Sequence, residues 1–353
     1  MNQIDQQHFS NKNITGAALI TVLVIVFMIM AIITNITVEN YRAIRRMSNQ
    51  KVQTQALSIL KVATAFGRAG LFTSGATSKI DTLTDIWAQP LPKTEVVDNL
   101  QMSGYILDEQ SKFNINDLVS NGMINPTVVT QFSTLLGYLN IPTTMATNIA
   151  SYMAAPRYQT DIMNQYAMGT PPDRPAGRAL IDLSELILVN GMQPAWVYKL
   201  NQYVTAIPQN QNFSNESNQS GESQPTPNLP ITPPTGTGSV LVNINTASPE
   251  VISAKSGIPL AVAQRIITTR SSTPFNSTTD ITKYLASNGI IMSQNTNQGT
   301  TNILVNTLTT SSQYFTIHAI VDSGDYEFRL ITLVLRQNRS GQQWPLVLWR
   351  HPE

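Results

Sequence analysis

The sequence predicts an α+β fold in which a long N-terminal helix packs on an antiparallel sheet, and the sheet carries a large helical insertion. Three observations predict it. An uncharged apolar run from Ala17 to Ile36 is followed by apolar residues at helical spacing. Three segments near the C-terminus read as strands separated by turn residues. Between these ends lies a block of helical pattern punctuated by prolines.

The apolar run comes first. About 20 residues without a charge, at about 1.5 Å rise per residue, cross a hydrocarbon core of about 30 Å. Its far flank, Thr34 to Arg46, has no small-residue cleavage site; Gly16-Ala17-Ala18 lies on the near flank instead. On the run alone, an uncleaved anchor is the simpler reading, and a cut between Gly16 and Ala17 is the alternative. Asp5 and Lys12 cancel before the span, whereas Arg42, Arg45 and Arg46 follow it, so loop charge favours a cytoplasmic main domain.

Composition bounds the remainder. The chain has 353 residues, a net charge of +1, only 12% charged residues and no cysteine. The length allows more than one domain. Near-neutral charge supplies no electrostatic drive toward nucleic acid. Without cysteine there are no disulfides, thiolate metal sites or cysteine nucleophiles.

Val38, Tyr41, Ile44, Val52, Ala56, Ile59, Ala63 and Phe66 extend the helix to about Leu71, where Thr73 to Ser78 breaks the pattern. Trp87 to Pro92 suits a loop, and Gly104 to Leu107 a short strand. From Leu118 to about 205 the pattern is helical, with breaks at Pro126, Pro142, Pro156 and Pro171-Pro172. Residues 209–239, rich in Gln, Asn, Ser, Pro and Thr, bury too little apolar surface to offset ordering entropy and read as a mobile loop. Tyr314–Val321, Tyr326–Arg336 and Trp344–Arg350 form an antiparallel meander. Because Gly104–Leu107 also needs partners, the helical block is an insertion within one sheet.

That block contains a repeat. Asn140-Ile141-Pro142 is followed by Ala146 and Ile149, and Gly257-Ile258-Pro259 by Ala263 and Ile266. Gly191-Met192 precedes Val197 and Leu200 more loosely. The first two copies have similar entries, Asn114-Ile-Asn and Asn243-Ile-Asn. Each reads as helix, tight turn, helix, and resembles the helix-hairpin-helix or SAM-like unit. Such turns contact DNA backbones through their amides and nearby cations. Here proline removes donors, the first copy has no basic residue near its turn, and only Lys255, Arg265 and Arg270 supply charge to the second. Protein scaffold is favoured over nucleic-acid binding.

Candidate chemistry is sparse. His8 lies in the leader, His318 in a strand and His351 near the end, and no nucleophile elbow or phosphate loop accompanies them. Asp161 and Asp173 flank a Pro/Gly-rich loop, but two carboxylates fall short of the six to eight oxygens calcium takes.

The polar leader ending in Gly16 and the apolar helix from Ala17 resemble a prepilin N-terminus. Asp108-Glu-Gln-Ser-Lys-Phe-Asn-Ile-Asn-Asp-Leu118, Asp182-Leu-Ser-Glu-Leu-Ile-Leu-Val-Asn-Gly-Met192 and Asn243-Ile-Asn-Thr-Ala-Ser248, in this order, resemble the K-type minor pseudopilins of type II secretion, the GspK family. The resemblance implies a pilin-like fold with a 1–16 leader, a 17–36 transmembrane half-helix and a 37–110 segment of amphipathic helix and first strands. It further implies an inserted 111–308 α-domain, with SAM-like parts 111–208 and 240–308 joined by 209–239, and C-terminal strands over 309–353. It implies cleavage after Gly16 by prepilin peptidase, N-methylation of Ala17 and a single-pass bacterial inner-membrane protein with a periplasmic domain. That orientation opposes the loop-charge rule. The implied place is the tip of the pseudopilus, beside I- and J-type minor pseudopilins and above H-type or major pseudopilins, with the secretin or secreted substrates as further contacts. Thr21 occupies the fifth mature position, where most pseudopilins carry Glu; a tip subunit has no use for that acid. Calcium ligands in some relatives fall in an acidic stretch that here reads Ser151-Tyr-Met-Ala-Ala-Pro156, so no cofactor is assigned. The rival reading is a component of a type IV pilus or competence system, with hairpins that bind DNA.

Overall fold

The computed structural model describes residues 14–97, 100–154, 160–168, 174–207, 239–290, 304–324, 326–337 and 343–352. The chain divides into two compact units, 1–59 and 60–353. Helix α1, Ile14–Thr77, spans that boundary. It runs beyond Leu71 because its last turns are built for close packing. Gly75 faces the Arg336 side chain, whose Cδ would lie 3.1 Å from an added Cβ, and Leu71 and Ser74 are buried. The local Ser/Thr/Gly composition is overridden by tertiary contact.

In the unit 60–353, strands β1 (Leu91–Val97) and β2 (Leu100–Asp108) are followed by five two-residue strands: β3 (Phe113–Asn114), β4 (Val119–Ser120), β5 (Met123–Ile124), β6 (Val204–Thr205) and β7 (Val242–Asn243). β8 (Leu308–Thr309), β9 (Tyr314–Asp322), β10 (Glu327–Leu335) and β11 (Leu346–Pro352) complete the set. The main sheet has the order β1-β2-β9-β10-β11, every pairing antiparallel. The expected α+β architecture is therefore present, with the insertion leaving the sheet after β2 and returning at β9. Two local expectations are corrected. Trp87 to Pro92 is not simply a loop: Ile86–Ala88 is one 3-10 turn, and β1 starts at Leu91. Pro92 is tolerated because β1 is an edge strand. The strand expected at Gly104–Leu107 extends to nine residues.

One sheet face packs on the end of α1 through Leu71, Trp87, Phe315, Ile317 and Val334. Gly67 permits this approach, since an added Cβ would meet Ile317 Cγ2 at 2.9 Å. The opposite face receives the insertion through Ile207, Val240, Tyr314, Leu333 and Leu335.

The insertion contains α2 (Pro126–Tyr138), α3 (Met145–Met153), α4 (Thr160–Ala167), α5 (Pro194–Leu200), α6 (Pro249–Ser256), α7 (Leu260–Ser272) and α8 (Thr278–Ser287). Pro126 starts α2 rather than breaking it, with Asn125 as N-cap. The α2–α3 and α6–α7 hairpins share one core, in which Phe132, Leu136, Ile149, Ile252, Ile258 and Ile266 are all fully buried. Both turns put the residue before Ile-Pro in the left-handed region, Asn140 at φ 52° and Gly257 at φ 76°. Pro156, Pro171-Pro172 and nearly all of the tract 209–239 lie outside the described residues.

Gly104 sits where β2 and β9 run closest, and an added Cβ would lie 2.5 Å from the carbonyl oxygen of His318. Gly104→Ala should therefore destabilise the full chain by about 2 kcal/mol or more, read as a fall in denaturation midpoint in detergent.

Candidate functional site

Two regions of unlike chemistry stand out, and each is built from local rules. The first is the apolar half of α1. Gly16 and Ala17 lie in its opening turns. Thr21 is exposed, and its hydroxyl donates to the Ala18 carbonyl at 2.9 Å. Thr34 and Thr37 likewise donate to Met30 and Ile33 at 2.8 Å. Each hydroxyl is thus satisfied within the helix, which is what hydrocarbon demands of a polar side chain. Among the described residues, this is the one helix long and apolar enough to cross a membrane.

The second region is the polar joint that fixes the insertion to the sheet. Arg336, 2% exposed, donates through Nη2 to both Asp81 carboxylate oxygens at 2.7 and 2.6 Å and to the Ser312 carbonyl at 2.7 Å. Its Nη1 reaches the Leu71 carbonyl at the end of α1, at 3.3 Å. Burial lowers the guanidinium pKa to about 10, leaving it charged at neutral pH. Beside it, Asp108 accepts from Ser312 Oγ and Thr246 Oγ1, each at 2.6 Å, from Asn243 Nδ2 at 3.3 Å and from the Gln110 amide at 2.8 Å. Burial pushes the Asp108 carboxyl up against the pull of these donors. For its neighbour Glu109, burial opposes the charge, but Lys112 and the Thr316 hydroxyl hold the carboxyl below its ordinary value. The joint combines α1, the sheet and the second hairpin, so sequence reading missed it; its one visible signal was the Asn-Ile-Asn entry.

Those entries work alike in both copies. Asn114 and Asn243 each cap the amide two residues on. Asn116 pairs both ways with the Leu180 backbone, its Oδ1 accepting at 2.8 Å and its Nδ2 donating at 3.0 Å, and Asn245 does the same with Phe275 at 3.0 and 2.9 Å. Each entry strand closes in a parallel two-residue ladder, β3 with β6 and β7 with β8. The copies are tied by a buried ion pair, Lys255 Nζ to Asp117 Oδ2 at 2.8 Å, with both side chains at most 1% exposed. Lys255 also lies 4.7 Å from the Phe113 ring centroid and donates to Ser239 at 2.8 Å.

This pairing decides the fate of the hairpin cations. Lys255 faces inward, and Arg270 donates to the carbonyls of Ile244 and Ala247 under α7, where burial lowers its pKa to about 10. Arg265 alone of the three is exposed. Pro259 caps α7 without a side-chain acceptor or amide donor. The hairpins are built for packing, not phosphate.

Of the remaining candidates, only the two histidines of the sheet share a face. His318 stacks on Tyr105 with ring centroids 4.5 Å apart, a cross-strand pair on β9 and β2. His351 on β11 and His318 on β9 flank Ile331 of β10 on one face of the sheet and line the same cavity, and His8 is outside the described residues. Asp161 is exposed on α4, and Asp173 lies outside the described residues. Among the described residues no three His, Cys, Asp or Glu gather into a metal-binding group.

Two outcomes test the joints in the full chain. Lys255→Met should cost about 3–5 kcal/mol of unfolding free energy by stranding Asp117, whereas Lys255→Met with Asp117→Leu should recover much of it, read from denaturant midpoints. The raised Asp108 pKa means that the folded state holds this proton more tightly. Its contribution is therefore full below the ordinary carboxylate pKa and is lost as pH rises toward the folded value. Asp108→Asn should flatten that part of a Tm-against-pH curve above about pH 4.

Comparison with known proteins agrees with this geometry. Two family models, each described as type II secretion system (T2SS), protein K, match residues 111–209 and 242–301, the two halves of the insertion. The type II secretion system protein K of Pseudomonas aeruginosa is 28% identical over 335 residues, covering 91% of this chain and 88% of that protein. The crystal structure of the GspK-GspI-GspJ complex from enterotoxigenic Escherichia coli contains a chain with the same fold. The TM-score is 0.63 at 19% identity, covering 87% of this chain and 99% of that one. These findings favour the type II secretion reading over the pilus or competence alternative. Both halves of the insertion match models of one description, and the similarity extends over most of the chain: what this chain resembles is protein K of the type II secretion system.

Proposed function

We propose that this chain is a minor pseudopilin of the pseudopilus tip, where it starts assembly with I- and J-type partners and supports export of folded proteins. The precursor is cut after Gly16 by prepilin peptidase and methylated on Ala17, and the insertion-bearing domain faces the periplasm from a single inner-membrane span. It acts as an assembly protein, not an enzyme. The observation that carries the reading is the union, in one chain, of an uncovered apolar helix with a sheet whose insertion matches protein K in both halves. The complex formed by the Escherichia coli relative supports the choice of partners.

Thr21 supports the place. A buried carboxylate in a helix bundle needs a partner amine from a neighbouring subunit, and a subunit that lacks it forgoes that contact without the cost of an unpaired charge. The bulk of the insertion also argues against a further subunit stacked above.

Gly16→Leu should leave the precursor uncut, seen as a gel shift, and abolish exoprotein release. Full-length protein should co-purify with I- and J-type pseudopilins. Normal maturation of the variant would sink the leader assignment, and failure to co-purify would sink the tip assignment.

A further inference from the structure

The three arginines that follow the span run against the charge rule for a chain whose domain lies outside the cytoplasm. Their placement suggests a use. α1 is continuous from the apolar run through residues 41–46, and every side chain over 41–46 is exposed. From Ile36 to Arg42 the helix rises about 9 Å. Side chains on a helix lean toward its N-terminus, which here is the membrane side. Arg42, Arg45 and Arg46 therefore reach back toward the headgroup layer, which is about 5–7 Å thick. At helical spacing of about 100° per residue they fall within roughly one third of the circumference, a single basic stripe. Tyr41 borders it, accepting from Arg45 Nε at 3.0 Å and Nη2 at 2.6 Å, with the guanidinium carbon 5.2 Å from the ring centroid. This pairing orients Arg45 beside a tyrosine at the depth where aromatic residues mark the membrane interface. Glu39, one turn nearer the span, leaves residues 39–46 with a net charge of +2.

We infer that Arg42, Arg45 and Arg46, with Tyr41, form a collar that binds the phosphates of anionic lipid headgroups in the leaflet on the domain's side. Guanidinium suits this task because its planar fork donates two hydrogen bonds to one phosphate. The collar fixes the depth of the helix and holds the chain in the bilayer until assembly draws it out. The inference rests on the membrane-span reading above.

The absence of native cysteine allows a clean test. Full-length Ile44→Cys chain, carrying a donor fluorophore, is placed in phosphatidylcholine nanodiscs that contain acyl-labelled phosphatidylglycerol or acyl-labelled phosphatidylcholine as energy-transfer acceptor. At about 0.15 M salt the anionic lipid should be enriched around the label by about fivefold or more, since each surface arginine contributes up to roughly that factor. Replacing all three arginines by Gln should bring the ratio near one, and replacing all three by Lys should retain most of it. At about 1 M salt, where the Debye length falls to about 3 Å, the enrichment should collapse. Equal transfer to both lipids, or enrichment that survives the Gln variant, overturns the collar. Equal transfer in a chain that resists alkaline extraction overturns the collar alone, whereas release by alkaline extraction overturns the span reading and the collar together.

Discussion

Arg336 is the constraint around which the domain is organised. A guanidinium this deeply buried is tolerable only when its charge is met at close range, and the two oxygens of Asp81 with the Ser312 carbonyl meet it. The requirement fixes three things at once. The α1–β1 connection must carry Asp81 inward, α1 must end with its Leu71 carbonyl toward the joint, and the chain must return from the insertion with Ser312 beside Asp108. The helix, the sheet and the insertion are consequently positioned by one polar cluster, and apolar packing alone would not specify that arrangement so narrowly.

The insertion repeats this logic on a smaller scale. Each Asn-Ile-Asn entry uses its first amide to cap a turn and its second to pair with a distant backbone segment. The Lys255–Asp117 pair then joins one copy to the other through the shared core. A side chain that in a DNA-binding hairpin would seek phosphate is here spent on internal registration. The same hairpin geometry thus serves cohesion of a bulky domain.

The N-terminal half of α1 obeys the opposite rule. The hydroxyls of Thr21, Thr34 and Thr37 close on their own helix, and the large side chains exposed from Leu19 to Ile36 are apolar. Polarity resumes at Glu39 and Asn40, so the change from apolar to polar surface is written into one continuous helix.

What the sequence determined by itself was the pattern governed by local periodicity and charge. The span from Ala17, the strand meander after residue 314, the two Ile-Pro hairpins and the resemblance carried by three phrases were all legible, because each depends on residues close in the chain. Only tertiary structure decided the rest. β1 escaped notice because an edge strand tolerates Pro92 and shows little burial alternation. The last turns of α1 persist through Gly75 because Arg336 needs the space. Lys255 and Arg270 looked available to a ligand until packing turned them inward. In each case the deciding partner lies far along the chain, and a buried charge is set by its neighbours in space, not by its neighbours in sequence.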